Sequence, residues 1–385
     1  MHPRSSILEC AARGALTILL SGFIGFATPA LASAQRGGSI DSLARAFRAK
    51  HPAPAMVIGV IDSRGKRIFP YGTTGADSAA VGGDTRFEVG SVTKVFTSLL
   101  LARMTESGKV RLEDPISSFL PDSIHAPEYR GQPITLGALA THSSSLPRLP
   151  GNIAPANMLD PYADYTADKL YAFLDSYDLP QAPGTHYEYS NLGAGLLGFI
   201  LSRHAGEPYA KLVEQRVFRP LGMADSYIAE LGDSADPRLA HGHAEGKEVP
   251  FWHFGSLEGA GAAISSTNDL LRLLEAELHP RRTQMAEAIT LSQKIHFRAS
   301  PELSLALGWH VVQLPDSSSL YWHNGGTGGA RSFVGFSPAL GAGFTLLVNE
   351  AIPLDVLNQF AFELARTLMG GEAARASALS SPGRH

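Results

Sequence analysis

The sequence predicts an α+β fold, in which one antiparallel sheet is flanked by helices and carries an inserted all-α domain. Two observations support it. Strand-like apolar runs lie near both ends of the chain, at residues 55–71 and 305–349. Between them, over residues 91–279, the signals are helical or loop-like. Strands from both ends of a chain can join one sheet layer, against which the intervening helices pack.

The first 34 residues predict a signal peptide. Arg4 and Arg13 precede an apolar run at residues 15–27, and small-x-small cleavage sites end at Ala32 and Ala34. The run suits a signal peptide but is short for a membrane span, which needs about 20 residues. An uncleaved anchor is the alternative. We therefore expect a periplasmic or secreted protein of about 351 residues.

Composition excludes several classes of protein. The 385 residues are 44% hydrophobic and 18% charged, with 39 Gly and 25 Pro, which excludes a collagen, a coiled coil and a wholly disordered chain. The formal net charge of −4 offers no electrostatic basis for binding nucleic acid or an anionic membrane. The only cysteine, Cys10, would leave with the signal peptide. The mature chain would then have no disulfide, cysteine nucleophile or thiolate metal site.

The first elements follow from periodicity and turn residues. We predict a short amphipathic helix at 40–50, then a hairpin with strands at 55–61 and 67–71 around the turn Asp62-Ser-Arg-Gly65. A Pro- and Gly-rich surface loop follows later in the chain. This loop is predicted at 147–161. The further helices are predicted at 91–104, 191–203, 209–217 and 266–278.

The last part of the chain is predicted to form strands and one helix. They are predicted at 305–314, 319–322, 332–336 and 343–349, followed by a helix at 354–369. A small, polar segment then predicts a flexible tail. The predicted division is a signal peptide at 1–34, a discontinuous sheet domain at 35–90 and 280–369, a helical domain at 91–279 and a tail at 370–385.

The most informative motif is Ser-x-x-Lys at Ser91 and Lys94, which begins a strongly apolar helix. A lysine three residues after a serine lies on the same helix face, within reach of its hydroxyl. Burial and the helix dipole disfavour the ammonium form, so Lys94 can accept the serine's proton. The spacing alone is weak, because Ser63 and Lys66 share it in a hairpin turn that we interpret as solvent-facing. The alternative for Ser91 is a helix N-cap beside an exposed lysine.

Two other segments carry candidate site residues. Tyr189 and Asn191 precede a helix rich in small residues, where a phenol can relay a proton and an amide can hold a substrate carbonyl. The alternative is a helix cap with a tyrosine packed on the core. The other segment holds His323, Gly325 and Gly326, where glycine-rich backbone can approach a ligand and donate to an oxyanion. No Gly-Lys-Ser/Thr sequence follows, which argues against a phosphate-binding loop.

Together these segments resemble the serine β-lactamase and penicillin-binding DD-peptidase superfamily, in the branch of class C β-lactamases, DD-peptidases and related esterases. The family motifs Ser-x-x-Lys, Tyr-x-Asn and His-x-Gly occur here in the family's order. Similar stretches extend the resemblance over about residues 40–365. The resemblance implies the family's nested architecture, a β-lactamase/DD-peptidase-like α+β fold, with the catalytic cleft where its two parts meet.

The resemblance also implies roles for individual residues. Ser91 would be the acylated nucleophile and Lys94 its proton acceptor. Tyr189 would relay protons to the leaving group and activate the deacylating water. Asn191 would hold the substrate amide, while the backbone N–H groups of Ser91 and Gly326 would form the oxyanion hole.

One departure from the family concerns charge. Where β-lactamases usually have lysine, this chain has His323, whose ordinary pKa is about 6.5, and Asn324 replaces the usual threonine. Histidine offers a substrate carboxylate a hydrogen bond but little charge, which fits a peptidase or esterase at least as well as a β-lactamase. Arg331 either supplies the missing charge or is a surface residue.

His241 and His243 have a metal-like spacing without a carboxylate pair, so we predict no metal and no cofactor.

The sequence therefore predicts an exported serine hydrolase that cleaves amide bonds of D-Ala-type peptides or β-lactams through a Ser91 acyl-enzyme. Its substrate would be a small molecule or a short, cell-wall-derived peptide, with membrane contact only if the signal segment is retained. A carboxylesterase on the same scaffold is one alternative. A non-catalytic binder of cell-wall fragments is another, although a binder has no need of Ser91, Lys94 and Tyr189 together. The tryptophan and histidine residues of unassigned role, which line the cleft or belong to the core, are Trp252, His253, Trp309 and Trp322.

Overall fold

The structure, a computed structural model, describes residues 39–74, 79–230 and 236–380, with side chains described to residue 370. The predicted signal peptide and Cys10 lie outside these residues, as do residues 381–385 of the predicted tail. Within the described ranges, no helix is both long and apolar enough to cross a membrane.

Most strands lie towards the two ends of the chain and most helices between them. The strands are β1 (Ala55–Asp62), β2 (Gly65–Gly72), β3 (Arg86–Glu88), β4 (Glu128–Tyr129), β5 (Gln132–Pro133), β6 (Tyr227–Ile228), β7 (His243–Ala244), β8 (Lys247–Glu248), β9 (Ala263–Ser266), β10 (Phe297–Arg298), β11 (Ser304–Ala306), β12 (Trp309–Gln313), β13 (Ser319–Gly326), β14 (Arg331–Ser337) and β15 (Ala342–Val348). The helices are α1 (Ile40–Lys50), α2 (Thr93–Glu106), α3 (Leu136–Ala140), α4 (Ala167–Ser176), α5 (Asn191–Ala205), α6 (Tyr209–Val213), α7 (Thr267–Leu278), α8 (Ala286–Ser292) and α9 (Leu354–Ser380).

An eight-stranded antiparallel sheet joins the two ends of the chain. Its order is β10-β11-β12-β13-β14-β15-β1-β2. β1 pairs with β15, so that Met56 lies opposite Val348 and Ile61 opposite Gly343. The sheet and its flanking helices confirm the predicted α+β class, and the predicted hairpin is β1–β2.

Strand β1 is buried on both faces of this sheet. Met56 and Ile58 pack in the cluster shared with α1 and α9, whereas Val57 packs in the larger cluster on the other face. Successive strand residues point to opposite faces, so a central strand between two helical layers needs apolar residues throughout. Gly59 faces α7, where a Cβ atom would lie 2.5 Å from Thr267 Cγ2. The sheet is therefore the middle layer between two layers of helices.

A small second sheet links the Ser91 segment to the main core. β9 pairs with β3 and β6, placing Glu88 opposite Ile264, and β9 leads directly into α7. α2 contacts α5 and α8, and its residues from Thr93 to Ala102 are all buried. A helix that is apolar on every side belongs in a core. The segment between the outer strands thus contains short strands as well as helices.

Three predicted boundaries differ from the observed ones. The strand predicted at 305–314 is two strands, because Gly308 adopts φ +75° and turns the chain between β11 and β12. The strand predicted at 319–322 continues to Gly326, since pairing with β14 extends through the glycines. α9 continues to Ser380 rather than ending at Met369, and its Ala-rich sequence has high helix propensity.

Candidate active site

Ser91 lies in a tight turn between β3 and α2. The turn is a 3-10 segment, Gly90–Val92, that runs straight into the helix. Gly90 adopts φ +49°, and a Cβ atom there would lie 2.7 Å from the backbone N of Gly326. The conformation and the close contact both require glycine at this position. Ser91 is therefore held against the end of β13, and it remains partly exposed to solvent.

The Lys94 amine lies beside the Ser91 hydroxyl in a buried position. Lys94 Nζ is 3.0 Å from Ser91 Oγ, 2.9 Å from Asn191 Oδ1 and 2.7 Å from the carbonyl oxygen of Ala260. Burial, reinforced by the positive charge of Arg148, holds the pKa of Lys94 well below that of an ordinary lysine. A neutral amine donates its two hydrogens to the two carbonyl-type oxygens and accepts the Ser91 proton with its lone pair. All three contacts are satisfied in that state.

Tyr189 is the third group at the serine. Its ring centroid is 4.9 Å from Lys94 Nζ, and its phenol interacts with the Ser91 side chain. Burial raises the pKa of Tyr189 to about 12, so at neutral pH the phenol keeps its proton. The resting site therefore combines a neutral acceptor, Lys94, with a protonated phenol, and these can serve as proton acceptor and proton donor on the two sides of Ser91 Oγ.

Asn191 is fixed by hydrogen bonds at both ends of its amide. It is the first residue of α5, which is capped by the Ser190 hydroxyl accepting from Gly193 N at 2.8 Å. Its Oδ1 accepts from Lys94, and its Nδ2 donates to the Tyr162 hydroxyl at 3.3 Å. The amide thus orients Lys94 and points towards Tyr162, so the predicted contact with a substrate amide would be made from this fixed position.

His323 is a buried, neutral acceptor. Its Nδ1 is 2.6 Å from the carbonyl oxygen of Asn324, which requires Nδ1 to carry the hydrogen. Nε2 then presents a lone pair, and within the described residues it has no hydrogen-bond partner. Burial and the nearby His310 and Lys94 hold the pKa of His323 well below the ordinary value. A lone pair repels a carboxylate, so this geometry differs from the predicted hydrogen bond to a substrate carboxylate.

The backbone of Gly325 makes the closest approach to the Ser91 turn. A Cβ atom at Gly325 would overlap the carbonyl oxygen of Val89 and would lie 3.0 Å from Ser91 N. The same carbonyl accepts a hydrogen bond of 2.7 Å from the Ser332 hydroxyl. These contacts join β13, β14 and the Ser91 turn, and only a residue without a side chain allows them.

We expect Gly325→Ala to lower the rate of hydrolysis more than it lowers the stability of the fold. The added methyl group pushes the turn away from β13, and a displacement of about 1 Å can cost about 10²-fold in rate. Overpacking destabilises by about 1–3 kcal/mol. Hydrolysis kinetics and thermal unfolding measure the two effects. Gly370→Ala is the matched control, because a Cβ atom there meets nothing within 4 Å; equal kinetics for the two variants would contradict the prediction.

Arg331 holds the β13–β14 connection together. Its Nε donates to the carbonyl oxygen of Ile352 at 2.6 Å, and its Nη1 donates to those of Thr327 and Ala330 at 2.7 and 2.8 Å. Burial lowers the pKa of Arg331 to about 10. Arg331 is therefore tied to backbone carbonyl oxygens through Nε and Nη1, a structural role that neither sequence interpretation included.

The structure adds two histidines that the motifs did not indicate. The ring centroid of His142 is 4.4 Å from that of Tyr189, and His142 Nδ1 accepts from Ser190 N at 3.1 Å. The ring of His310 is 5.2 Å from that of His323. Burial lowers the pKa of His310 to about 4 and that of His142 well below its ordinary value. Both neutral rings lie near Tyr189, with the His310 ring centroid 6.2 Å from that of Tyr189. Neither histidine is at a sequence spacing from Tyr189 that would have indicated the contact.

Arg148 is the third residue that the motifs missed. Its Cζ lies 5.0 Å from the ring centroid of Tyr189, and the side chain is partly exposed. Its backbone carbonyl accepts from the N–H groups of Asn191 and Leu192, at 3.0 and 3.3 Å. The only sequence signal was its place at the start of the predicted Pro- and Gly-rich loop.

The remaining predicted candidates lie away from this chemistry. Lys66 of the second Ser-x-x-Lys copy is exposed and forms an ion pair of 2.7 Å with Glu275. Ser63 is exposed in the β1–β2 turn. His241 Nδ1 is 2.7 Å from Glu248 Oε1, and the described ranges contain no group of three or more His, Cys, Asp or Glu residues suited to a metal ion.

The aromatic candidates divide between core and cleft. Trp309 and Trp322 are core residues, with Trp322 stacked on Phe333 at 5.5 Å. Trp252 is partly exposed, and its ring centroid lies 5.6 Å from that of Tyr162, the partner of Asn191. His253 Nδ1 is 2.6 Å from Asp160 Oδ2. Tyr162 and Trp252 therefore form an aromatic surface beside Asn191.

This fold and site define a class: the serine hydrolases of the β-lactamase and DD-peptidase type. The chain belongs to the Beta-lactamase family, whose model matches residues 40–365. It is similar to a D-alanyl-D-alanine-carboxypeptidase/endopeptidase AmpH of Escherichia coli (strain K12), at 29% identity covering 78% of this chain and 80% of that protein. It is also similar to a beta-lactamase of Pseudomonas fluorescens, at 24% identity covering 82% and 93%. A solved structure of a class C beta-lactamase mutant has the same fold, with a TM-score of 0.74 and 24% identity over 85% of this chain and 96% of that one.

Proposed function

We propose that the chain is an exported serine hydrolase that cleaves amide bonds in D-Ala-type peptides and is also acylated by β-lactams. The observation that carries this proposal is the contact of 3.0 Å between Lys94 Nζ and Ser91 Oγ, at an amine whose other two contacts are hydrogen-bond acceptors. This arrangement supports a lone pair directed at the Ser91 proton. Such a pairing of nucleophile and base is typical of covalent catalysis.

In the proposed acylation step, Ser91 Oγ attacks the substrate carbonyl carbon while its proton moves to Lys94 Nζ. The N–H groups of Ser91 and Gly326 stabilise the resulting oxyanion. Tyr189 donates its phenolic proton to the leaving amine as the C–N bond breaks. The Lys94 ammonium then returns a proton to the phenolate, so the acyl-enzyme forms with both groups in their resting states.

In the proposed deacylation step, water takes the place of the leaving amine. Tyr189, with Lys94 accepting the displaced proton, removes a proton from the water as its oxygen attacks the ester carbon. The Ser91 oxygen leaves and is reprotonated from Lys94. The product acid departs, and the site returns to its starting protonation. Two easier steps thus replace one difficult one.

Peptides of the cell wall are the proposed substrate class. The support is the similarity to AmpH, whose name gives it D-alanyl-D-alanine-carboxypeptidase and endopeptidase activities. The predicted signal peptide at residues 1–34 supports action in the periplasm or outside the cell. Sequencing the N-terminus of the protein recovered from a periplasmic fraction tests the export. A start at Ser33 or Gln35 supports cleavage after Ala32 or Ala34.

A carboxylesterase is the second candidate, and one observation favours it. His323, at the position where β-lactamases usually have lysine, is neutral and offers an acceptor, so it adds no charge for a substrate carboxylate. Short acyl esters need no such charge. An esterase would use the same acylation step with an alcohol leaving group.

A panel of acyl donors tests the proposed function. Nitrocefin, a peptide ending in D-Ala-D-Ala and a p-nitrophenyl ester are each incubated with the protein, and intact mass is followed after exposure to a labelled penicillin. We expect peptide cleavage and a penicillin adduct on Ser91. Ester cleavage without peptide turnover supports the esterase instead. Binding of cell-wall fragments without turnover of any donor, and without an adduct, contradicts both enzymatic proposals.

The pH dependence of kcat/KM follows from the state of Lys94. The neutral amine is the reactive form, so the rate rises with pH as Lys94 loses its proton. Because burial and Arg148 disfavour the ammonium, this acid limb should lie well below the pKa of an ordinary lysine, 10.5. Removing the positive charge of Arg148 should raise the pKa of Lys94 and move the limb to higher pH. Profiles of the wild type and Arg148→Ala, measured with one substrate, check both statements; a limb unmoved in the variant contradicts the second.

A further inference from the structure

Substrates that end in a carboxylate need a positive charge near the leaving group. His323 is neutral in this site, and Arg331 donates through Nε and Nη1 to backbone carbonyl oxygens. The Lys94 amine is buried beside Ser91, and burial holds its pKa well below that of an ordinary lysine. His323 and Lys94 thus offer a carboxylate no positive charge, and the Arg331 guanidinium already donates to backbone oxygens, which favours another residue as the source of the charge.

Arg148 has the position and the freedom that the others lack. Its guanidinium lies 5.0 Å from the ring centroid of Tyr189, whose phenol interacts with the Ser91 side chain. Within the described ranges, its guanidinium forms no ion pair and no hydrogen bond. The five N–H groups of a guanidinium form a planar fork that matches a carboxylate. Arg148 is partly exposed to solvent.

The backbone of Arg148 is hydrogen-bonded to the start of α5. Its carbonyl oxygen accepts from two N–H groups in the first turn of α5, those of Asn191 and Leu192. The position of Arg148 is thereby tied to the helix that carries Asn191. Its charge acts on Lys94, Tyr189 and Tyr162, which places the guanidinium within electrostatic reach of the reacting atoms.

We propose that Arg148 binds a carboxylate on the leaving group of the substrate. The proposal rests on the proposed function, in which Tyr189 protonates the leaving group and therefore lies beside it. A carboxylate a few bonds from the scissile bond then falls next to the Tyr189 ring, where the Arg148 fork donates to both of its oxygens. The enzyme is accordingly selective for acyl donors whose leaving group is an anion, such as a peptide that releases a free amino acid.

Matched pairs of substrates test the proposal. The first pair is a peptide ending in D-Ala-D-Ala as the free acid and as the C-terminal amide. The second pair is 4-acetoxybenzoate and 4-acetoxybenzamide, which serve if the protein is an esterase. Each pair differs only in the charge of the leaving group, so the ratio of kcat/KM values within a pair reports the recognition of the carboxylate.

We expect Arg148→Ala to lower the acid-to-amide ratio by about 10–100-fold, mainly through KM, because a hydrogen bond to a charged group is lost. Arg148→Lys keeps the charge but loses the fork, so its ratio should fall between those of the wild type and Arg148→Ala. Measuring on the plateau of each pH profile removes any effect that acts through the Lys94 pKa. Thermal unfolding of both variants verifies that they fold.

Arg203→Ala is the matched control. Its guanidinium also lies over an aromatic ring, that of Phe199 at 5.7 Å, but it is exposed and twelve residues along α5 from Asn191, roughly 18 Å away. The control should keep the wild-type ratio. An unchanged ratio in Arg148→Ala, or equal losses on both members of a pair, overturns the proposal. A wild type that turns over no substrate and forms no Ser91 adduct overturns the proposed function instead.

Discussion

Replacing Ser91 with alanine is expected to abolish turnover of every acyl donor that the wild type cleaves, with kcat falling by about 10³-fold or more. The Ser91 Oγ atom lies 3.0 Å from Lys94 Nζ and interacts with the Tyr189 phenol. Without it, no covalent intermediate can form. The labelled penicillin should therefore leave no adduct in the intact mass of the variant.

The second Ser-x-x-Lys copy provides the control for this experiment. Ser63→Ala changes the same residue type at the same spacing, in an exposed turn of the β1–β2 hairpin. We expect wild-type kinetics and a wild-type adduct from it. Full activity of Ser91→Ala would refute the enzymatic proposals, and loss of activity in Ser63→Ala would show that the wrong copy had been assigned.

Replacing Lys94 with methionine is expected to lower kcat/KM by about 10³-fold or more while leaving the protein folded. Methionine has a similar length and no ionisable group, so the acceptor for the Ser91 proton is removed without opening a large cavity. The carbonyl oxygen of Ala260 and Asn191 Oδ1 each lose a donor, at a cost of about 1–3 kcal/mol per unsatisfied group. Burying a neutral side chain instead of an amine offsets part of that cost.

The pH dependence of the free energy of unfolding distinguishes the ionisation of Lys94 from the packing of its side chain. The folded-state pKa of Lys94 lies below its unfolded value, so between the two the unfolded chain binds a proton that the folded chain does not. The free energy of unfolding of the wild type should therefore rise with pH through that window, up to about 10.5. Lys94→Met should lack this contribution. Lys66→Met, which removes an exposed ion pair with Glu275, is the control and should keep both the activity and the pH dependence.

The Ser91 and Lys94 variants also make a joint prediction. Residues that act as one catalytic unit lose activity in a strongly non-additive way. The double variant should therefore be no slower than Ser91→Ala alone. Losses that multiply would indicate that Lys94 acts on the substrate independently of the serine.

Much of the fold could be predicted from local patterns. The helix predicted at 40–50 is α1, and the turn Asp62-Ser-Arg-Gly65 joins β1 and β2 as expected. These elements have strong periodicity or specific turn residues, which act within a few positions of the chain. The short strands β3, β6 and β9 were missed, because two- to four-residue strands form only where distant segments meet.

The candidate site was predictable to the extent that its residues occur in short motifs. Ser91 and Lys94 are three residues apart on one helical turn, so their contact follows from helix geometry. Tyr189 and Asn191 were candidates because they precede a helix rich in small residues, and the resemblance to a family gave them roles; the structure places both beside Lys94. His142 and Arg148 were not predicted as site residues, because they lie 47 and 41 residues before Tyr189 in the chain and meet it only through the tertiary fold.

The sequence by itself determined the fold class, the order of the three motifs and the reach of Lys94 to Ser91, because periodicity and helical spacing are properties of neighbouring residues. Only the tertiary structure decided the electrostatics of the site. The neutral state of His323, the carbonyl contacts of Arg331 and, among the described residues, the lack of an ion pair at Arg148 depend on which groups from distant strands and loops surround each side chain. Burial and partner geometry set the charge of an ionisable group, and both arise when separate parts of the chain pack together.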